Sequence, residues 1–98
     1  MPLAFRLLIF LAALSWTGGV FAAEAPPGAS SCSGCHPNSA GVDSPIRRLI
    51  DIPAGDIATA MRDYRAGQRP ATIMDRVAKG FTDDEIAAIA AWYAARKD

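Results

Sequence analysis

Cysteine and histidine are nearly missing from this chain. Among 98 residues there are two cysteines, Cys32 and Cys35, and one histidine, His36. A closed zinc centre takes four ligands, and these residues supply three with no clear fourth. Charge of one sign is missing as well: 10 Lys/Arg stand against 10 Asp/Glu. With no basic patch and no long like-charge block, neither nucleic acid nor a charged disordered tail is indicated. No run of alternating apolar and polar residues argues for a strand. That absence removes the sheet that a thioredoxin-like Cys-x-x-Cys pair would need. No internal repeat is visible.

What is present begins with a leader. Arg6 precedes an unbroken apolar run, Leu7 to Leu14, and small residues follow, with Val20-Phe21-Ala22 as the best small-x-small cleavage site. This is the layout of a secretory signal peptide, residues 1–22. The competing reading, an uncleaved anchor over Leu7 to Ala23, is weakened by Ser15, Thr17, Gly18 and Gly19, and a bilayer span takes roughly 20 residues. Cleavage leaves no stable membrane span. It implies export, with a periplasmic location expected. Residues 23–31, containing Pro26, Pro27 and Gly28, read as a flexible lead-in. Residues 32–98 then form one small domain, of a size that rarely builds a sufficient core without a staple.

All the thiol and imidazole chemistry is spent in five residues, Cys32-Ser33-Gly34-Cys35-His36. This spacing is that of covalent haem c attachment. Two thiols add across the two vinyl groups of one porphyrin, and a histidine directly after the second comes to lie under the iron. In an oxidising compartment such a thiol pair otherwise closes to a disulfide. One haem c, held by Cys32 and Cys35, also serves as the missing staple, since it brings a large apolar disc into the interior.

The rest of the pattern is helical. A short helix or turn is expected around Ser31 to His36, cut off by Pro37, followed by a polar loop to Ser44. A second helix is predicted over Pro53 to Ala66, with Pro53 opening it and Gly67 stopping it. Ile57, Met61 and Tyr64 make its buried stripe, and Arg62, Asp63 and Arg65 its other face. A third helix opens on a capping box, Thr82-Asp83-Asp84-Glu85. Its acidic first turn suits the helix dipole, as do Arg96 and Lys97 at its end. Ile86, Ile89, Ala90 and Tyr93 line its apolar face, with Trp92 beside it.

With no second histidine, the other axial ligand of the iron has to be a different group. Met74 is the candidate, placed in an irregular stretch after Gly67-Gln68-Arg69-Pro70 where a side chain can turn inward. Met61 is the rival, but its place on the helical stripe is explained by packing; an open or lysine-bound iron is the remaining alternative. A thioether ligand favours ferrous iron relative to histidine and so raises the potential. The second ring nitrogen of His36 needs a partner, usually a backbone carbonyl, and Pro45 is a candidate for it.

From Cys32 onward the chain resembles a class I c-type cytochrome, and more narrowly the cytochrome subunit of flavocytochrome c sulfide dehydrogenase. The residues carrying the likeness are Asp63-Tyr64-Arg65-Ala66-Gly67-Gln68-Arg69, then Thr72-Ile73-Met74, then Val77-Ala78-Lys79-Gly80-Phe81-Thr82-Asp83-Asp84-Glu85-Ile86, and Ala91-Trp92-Tyr93-Ala94. The resemblance implies an all-α, cytochrome c-like small domain wrapped around one covalent haem. It implies Cys32 and Cys35 as thioether attachments, and His36 and Met74 as axial ligands. It further implies docking on a flavoprotein subunit with FAD that oxidises sulfide, and delivery of single electrons to a downstream carrier. Asp75 departs from the family, which often has proline there, and one haem motif stands where some members carry two. Both axial positions being filled argues against an enzyme on its own. Two further readings stay open: a free-standing soluble carrier for an oxidase or another dehydrogenase, and a haem peroxidase or gas sensor with an open iron site.

Overall fold

Residues 24–96 are described by the computed structural model. The expected signal peptide, residues 1–22, and the last two residues, Lys97 and Asp98, lie outside the described residues. Secondary structure is helical throughout, with no strand among the described residues. Four helices follow in order: α1 (Ala29–Cys32), α2 (Ala54–Arg65), α3 (Met74–Ala78) and α4 (Asp83–Ala95), with one 3-10 turn at Leu49–Asp51 between α1 and α2. None of the described helices is long and apolar enough to cross a membrane.

The helix ends follow local chemistry. At α4 both halves of the capping box are made: the Glu85 amide donates to Thr82 Oγ1 (3.2 Å), and the Thr82 amide donates to Glu85 Oε1 (3.0 Å). These satisfy amides that the helix itself leaves free. Pro53 is the N-cap of α2 rather than its first helical residue. At the other end Gly67 takes φ +72, and the Gln68 amide reaches back to the Asp63 carbonyl at 2.8 Å. That closure needs the left-handed backbone which glycine adopts at no steric cost. Arg96 is the C-cap of α4, and its guanidinium stacks over Trp92, 4.2 Å from the ring centre.

Two elements differ from the sequence expectation. Helix α1 begins at Ala29, so the last three residues of the 23–31 lead-in are helical, and Ala29 is fully buried. Gly28 makes this possible: its φ of +84 turns the chain, and the missing Cβ leaves room for the Phe81 ring. Met74, expected in irregular chain, is the first residue of α3. That helix has little more than one turn and its cap residue, Ile73, makes no side-chain bond, so periodicity has too few residues to register it.

The core forms where α2 packs on α3 and α4, with α4 also touching the 3-10 turn. Ile57, Ala58 and Met61 of α2 meet Ile86, Ile89, Ala90 and Tyr93 of α4, closed by Ala78 and Ala29. Alanine at four of these positions brings the backbones close. Arg65 ties the C-terminal turn of α2 to the start of α4, donating to the Phe81 carbonyl (3.1 Å) and pairing with Asp83.

Candidate functional site

The turn after α1 gathers the reactive side chains. The His36 amide bonds to the Cys32 carbonyl at 2.9 Å and the Cys35 amide to the same oxygen at 3.2 Å. This winds Cys32, Cys35 and His36 round one bend, and all three border a single cavity of about 530 Å³. The far walls are α2, with Ile57, Met61 and Tyr64; α3, with Met74 and Val77; and α4, with Ile86 and Ile89. The four sequence-derived site residues, Cys32, Cys35, His36 and Met74, therefore share one cavity. Met61 borders it too, but is only 8% exposed, while Met74 is half-buried.

His36 has its outer nitrogen engaged. Nδ1 lies 2.5 Å from the carbonyl oxygen of Arg47. A carbonyl only accepts, so Nδ1 carries the proton and donates, leaving the Nε2 lone pair for a metal. A backbone carbonyl was expected and is found, but it belongs to Arg47, not Pro45. Pro45 is exposed, two residues earlier in the loop.

A second set of bonds fixes the bend from behind. Tyr93 of α4, 1% exposed, donates its hydroxyl to the Ala29 carbonyl (2.5 Å) and accepts from Ser33 Oγ (2.8 Å). Ser33 lies between the two cysteines, so α4 holds the Cys32–Cys35 segment across 60 residues of chain. Burial raises the Tyr93 hydroxyl above its ordinary pKa, and burial likewise raises the Cys32 thiol. Neither cysteine is in a disulfide; Cys35 is exposed and Cys32 intermediate.

The walls fit an apolar disc tethered at one edge. Ile73 and Val77, four residues apart at α3, are 60% and 37% exposed and both border the cavity. Large aliphatic side chains facing a concave space are covered at low cost by an apolar ligand. Among the described residues, no three of His, Cys, Asp and Glu gather as a metal cluster; the thiols and imidazole face a cavity instead of converging on a point. Asp75, beside Met74, has one buried carboxylate oxygen with no hydrogen-bond partner. It sits in the first turn of α3, and the structure offers no further account of it. Sequence reasoning missed Arg47 and Ser33 at this site, and Arg69, which also borders the cavity. A carbonyl partner leaves no signature in residue type, and Arg69 reads as an ordinary surface arginine.

No family model matches the chain, and no solved structure matches it. Among curated proteins it is similar to the cytochrome subunit of sulfide dehydrogenase of Chlorobaculum tepidum, 38% identical over 63 residues, covering 64% of this chain and 57% of that protein. It is also similar to the thiosulfate dehydrogenase electron acceptor of Thiomonas intermedia, 32% identical over 90 residues, covering 89% of this chain and 41% of that one. The chain thus spans about half the length of the curated relatives it matches. In sequence and in its all-helical build, the chain is similar to the c-type cytochromes, and among them to the cytochrome subunit of sulfide dehydrogenase.

Proposed function

We propose that this chain is an exported, single-haem c-type cytochrome that carries electrons for a sulfur-compound dehydrogenase. The observation that carries the reading is the placement of Cys32, Cys35 and His36 on one bend, facing an apolar cavity with Met74 on its wall. A bound haem c supplies one-electron ferric–ferrous chemistry. Cys32 and Cys35 tether it covalently, which suits a small exported domain that cannot replace a lost cofactor. His36 would hold the iron through Nε2, with Nδ1 held by the Arg47 carbonyl, and Met74 would be the second protein ligand. With both residues holding the iron, no ligand position would remain for a substrate, which supports a carrier in place of an enzyme on its own. The apolar side chains of α2, α3 and α4 keep water away, which favours the less charged, reduced state.

The names of the two relatives support a dehydrogenase of reduced sulfur as electron donor. A flavoprotein sulfide dehydrogenase carrying FAD is the proposed partner, and a downstream carrier the acceptor. A second reading, with a thiosulfate dehydrogenase as donor, is favoured by the longer alignment to the thiosulfate dehydrogenase acceptor. The deciding experiment is purification from the native periplasmic fraction. Denaturing electrophoresis stained for haem-dependent peroxidase activity should leave colour on the band. A flavoprotein should travel with it and reduce it on addition of sulfide. A colourless band ends the reading; a coloured band reduced by thiosulfate and its dehydrogenase alone moves the donor.

A further inference from the structure

The His36 ring is held by the Arg47 carbonyl, and the backbone around Arg47 does little to hold that carbonyl in turn. Among the described residues, 37–48 contain no helix and one internal backbone hydrogen bond, from the Val42 amide to the Ser39 carbonyl at 3.3 Å. The fixed point is the next side chain. Arg48 has a side chain only 17% exposed. Its guanidinium forks onto Asp51, the last residue of the 3-10 turn, with Nε to Oδ2 at 2.9 Å and Nη2 to Oδ1 at 2.8 Å. The remaining nitrogen, Nη1, donates back to the Asn38 carbonyl at 3.4 Å. The Asn38 side chain donates to Ser33 Oγ at 3.1 Å, within the bend itself. Arg48 therefore ties the end of the loop forward to the 3-10 turn and back to the Cys32–His36 bend. The Arg47 carbonyl and the Arg48 amide belong to one planar peptide unit, so a displaced Arg48 tilts the oxygen that His36 uses.

We propose that Arg48 and Asp51 are positioning residues for the axial imidazole: their fork sets the plane of the Arg47–Arg48 peptide, and with it the strength of the His36 Nδ1–H bond. The inference rests on the haem reading above. Half of the Asp51 side chain is exposed, and such pairs add little stability, so the consequence of the fork is geometric. The Arg48 bonds hold the Asp51 carboxyl below its ordinary 3.8, which keeps the fork charged at neutral pH. Lysine cannot replace the arrangement, because an ammonium lacks the planar fork that spans two carboxylate oxygens while a third nitrogen reaches Asn38. The hydrogen bond at the second ring nitrogen governs how basic a metal-bound imidazole is. A firm bond makes Nε2 a stronger donor and favours ferric iron; a loosened one favours ferrous iron. Direction therefore separates geometry from charge. Removing the Arg48 cation favours ferric iron by its charge alone, whereas loosening the imidazole favours ferrous.

The test uses the purified haem-bearing chain and the variants Arg48→Lys, Arg48→Gln and Asp51→Asn, with Arg65→Gln as control. Arg65 pairs with Asp83 between α2 and α4, outside the loop. Proton NMR of the reduced chain reports the His36 Hδ1 resonance and its exchange with solvent, and a titration at fixed pH and salt reports the midpoint potential. Arg48→Lys, which keeps the charge, and Arg48→Gln should both move the Hδ1 resonance upfield and speed its exchange. Each should also shift the reduced-to-oxidised ratio toward reduced by about threefold, or about 28 mV at 59 mV per tenfold. Asp51→Asn should do the same, and Arg65→Gln should move neither. An unmoved Hδ1 resonance in Arg48→Lys, or a shift toward oxidised in Arg48→Gln, overturns the proposal. So does an equal shift in Arg65→Gln, since general loosening then suffices. If neither Arg48 variant carries haem, Asp51→Asn decides: a moved resonance and potential support the proposal, and unmoved ones overturn it. A parent chain without haem colour is a different result, since it removes the haem reading itself.

Discussion

Tyr93→Phe removes a single oxygen atom and tests whether α4 holds the attachment bend. The hydroxyl lies in the core, with the side chain 1% exposed, and bonds at once to the Ala29 carbonyl and to Ser33. Ala29 is fully buried, so water cannot replace the lost donor there. Ser33 is better placed, because its hydroxyl also lies 3.1 Å from the Asn38 side-chain nitrogen. The cost therefore falls mainly on the Ala29 carbonyl. A buried group deprived of its partner costs about 1–3 kcal/mol, and about 2 kcal/mol is the expectation here. For a domain of 60–100 residues that lowers the melting temperature by roughly 8–16 °C. Ser33→Ala leaves the Tyr93–Ala29 bond intact and should cost about 1 kcal/mol or less. The double variant should cost little more than Tyr93→Phe alone, since both changes break one network. Urea titration of all three chains measures this, with a shifted midpoint and an unchanged slope. If Tyr93→Phe lies within about 0.5 kcal/mol of the parent, the range of a neutral surface change, the argument for a tether fails.

Three other outcomes follow from the same structure. Met74→Ala should abolish the thioether-to-iron charge-transfer band at the red end of the ferric spectrum, whereas Met61→Ala should keep it and lose about 2–5 kcal/mol of stability from the core; loss of the band in Met61→Ala reverses the ligand assignment. Gly28→Ala should destabilise by about 1–2 kcal/mol from the left-handed backbone alone, and by more because the new Cβ meets the Phe81 ring; a thermal melt equal to the parent's refutes it. The Arg65 guanidinium holds the Asp83 carboxyl below its ordinary 3.8, and the bonds with Thr82 hold Glu85 below 4.5. Lowered carboxylate values add stability that is complete above those ordinary values and is lost as pH falls through the lowered ones. The urea midpoint should therefore fall on acidification from pH 5 toward about 2, and the combined Arg65→Gln, Thr82→Ala chain should show a shallower fall; equal slopes in the two chains refute the linkage.

The sequence by itself determined the features whose partners are close in the chain. Cys32, Cys35 and His36 are neighbours, so their Cys-x-x-Cys-His spacing is legible without any fold. Thr82 and Glu85 are three residues apart, so the capping box is legible; so are the Ile57–Met61–Tyr64 stripe and the apolar face of α4, because a helix repeats within a few residues. Only the tertiary structure decided the rest. It put Met61 and Met74 on one cavity, started α1 at Ala29, and gave Met74 a place on α3. It brought Tyr93 to Ala29 across 64 residues and gave His36 the carbonyl of Arg47 in place of Pro45. The reason is physical: a backbone carbonyl is the same atom in every residue, and a contact across a long loop is set by how the helices pack, which no local pattern of side chains records.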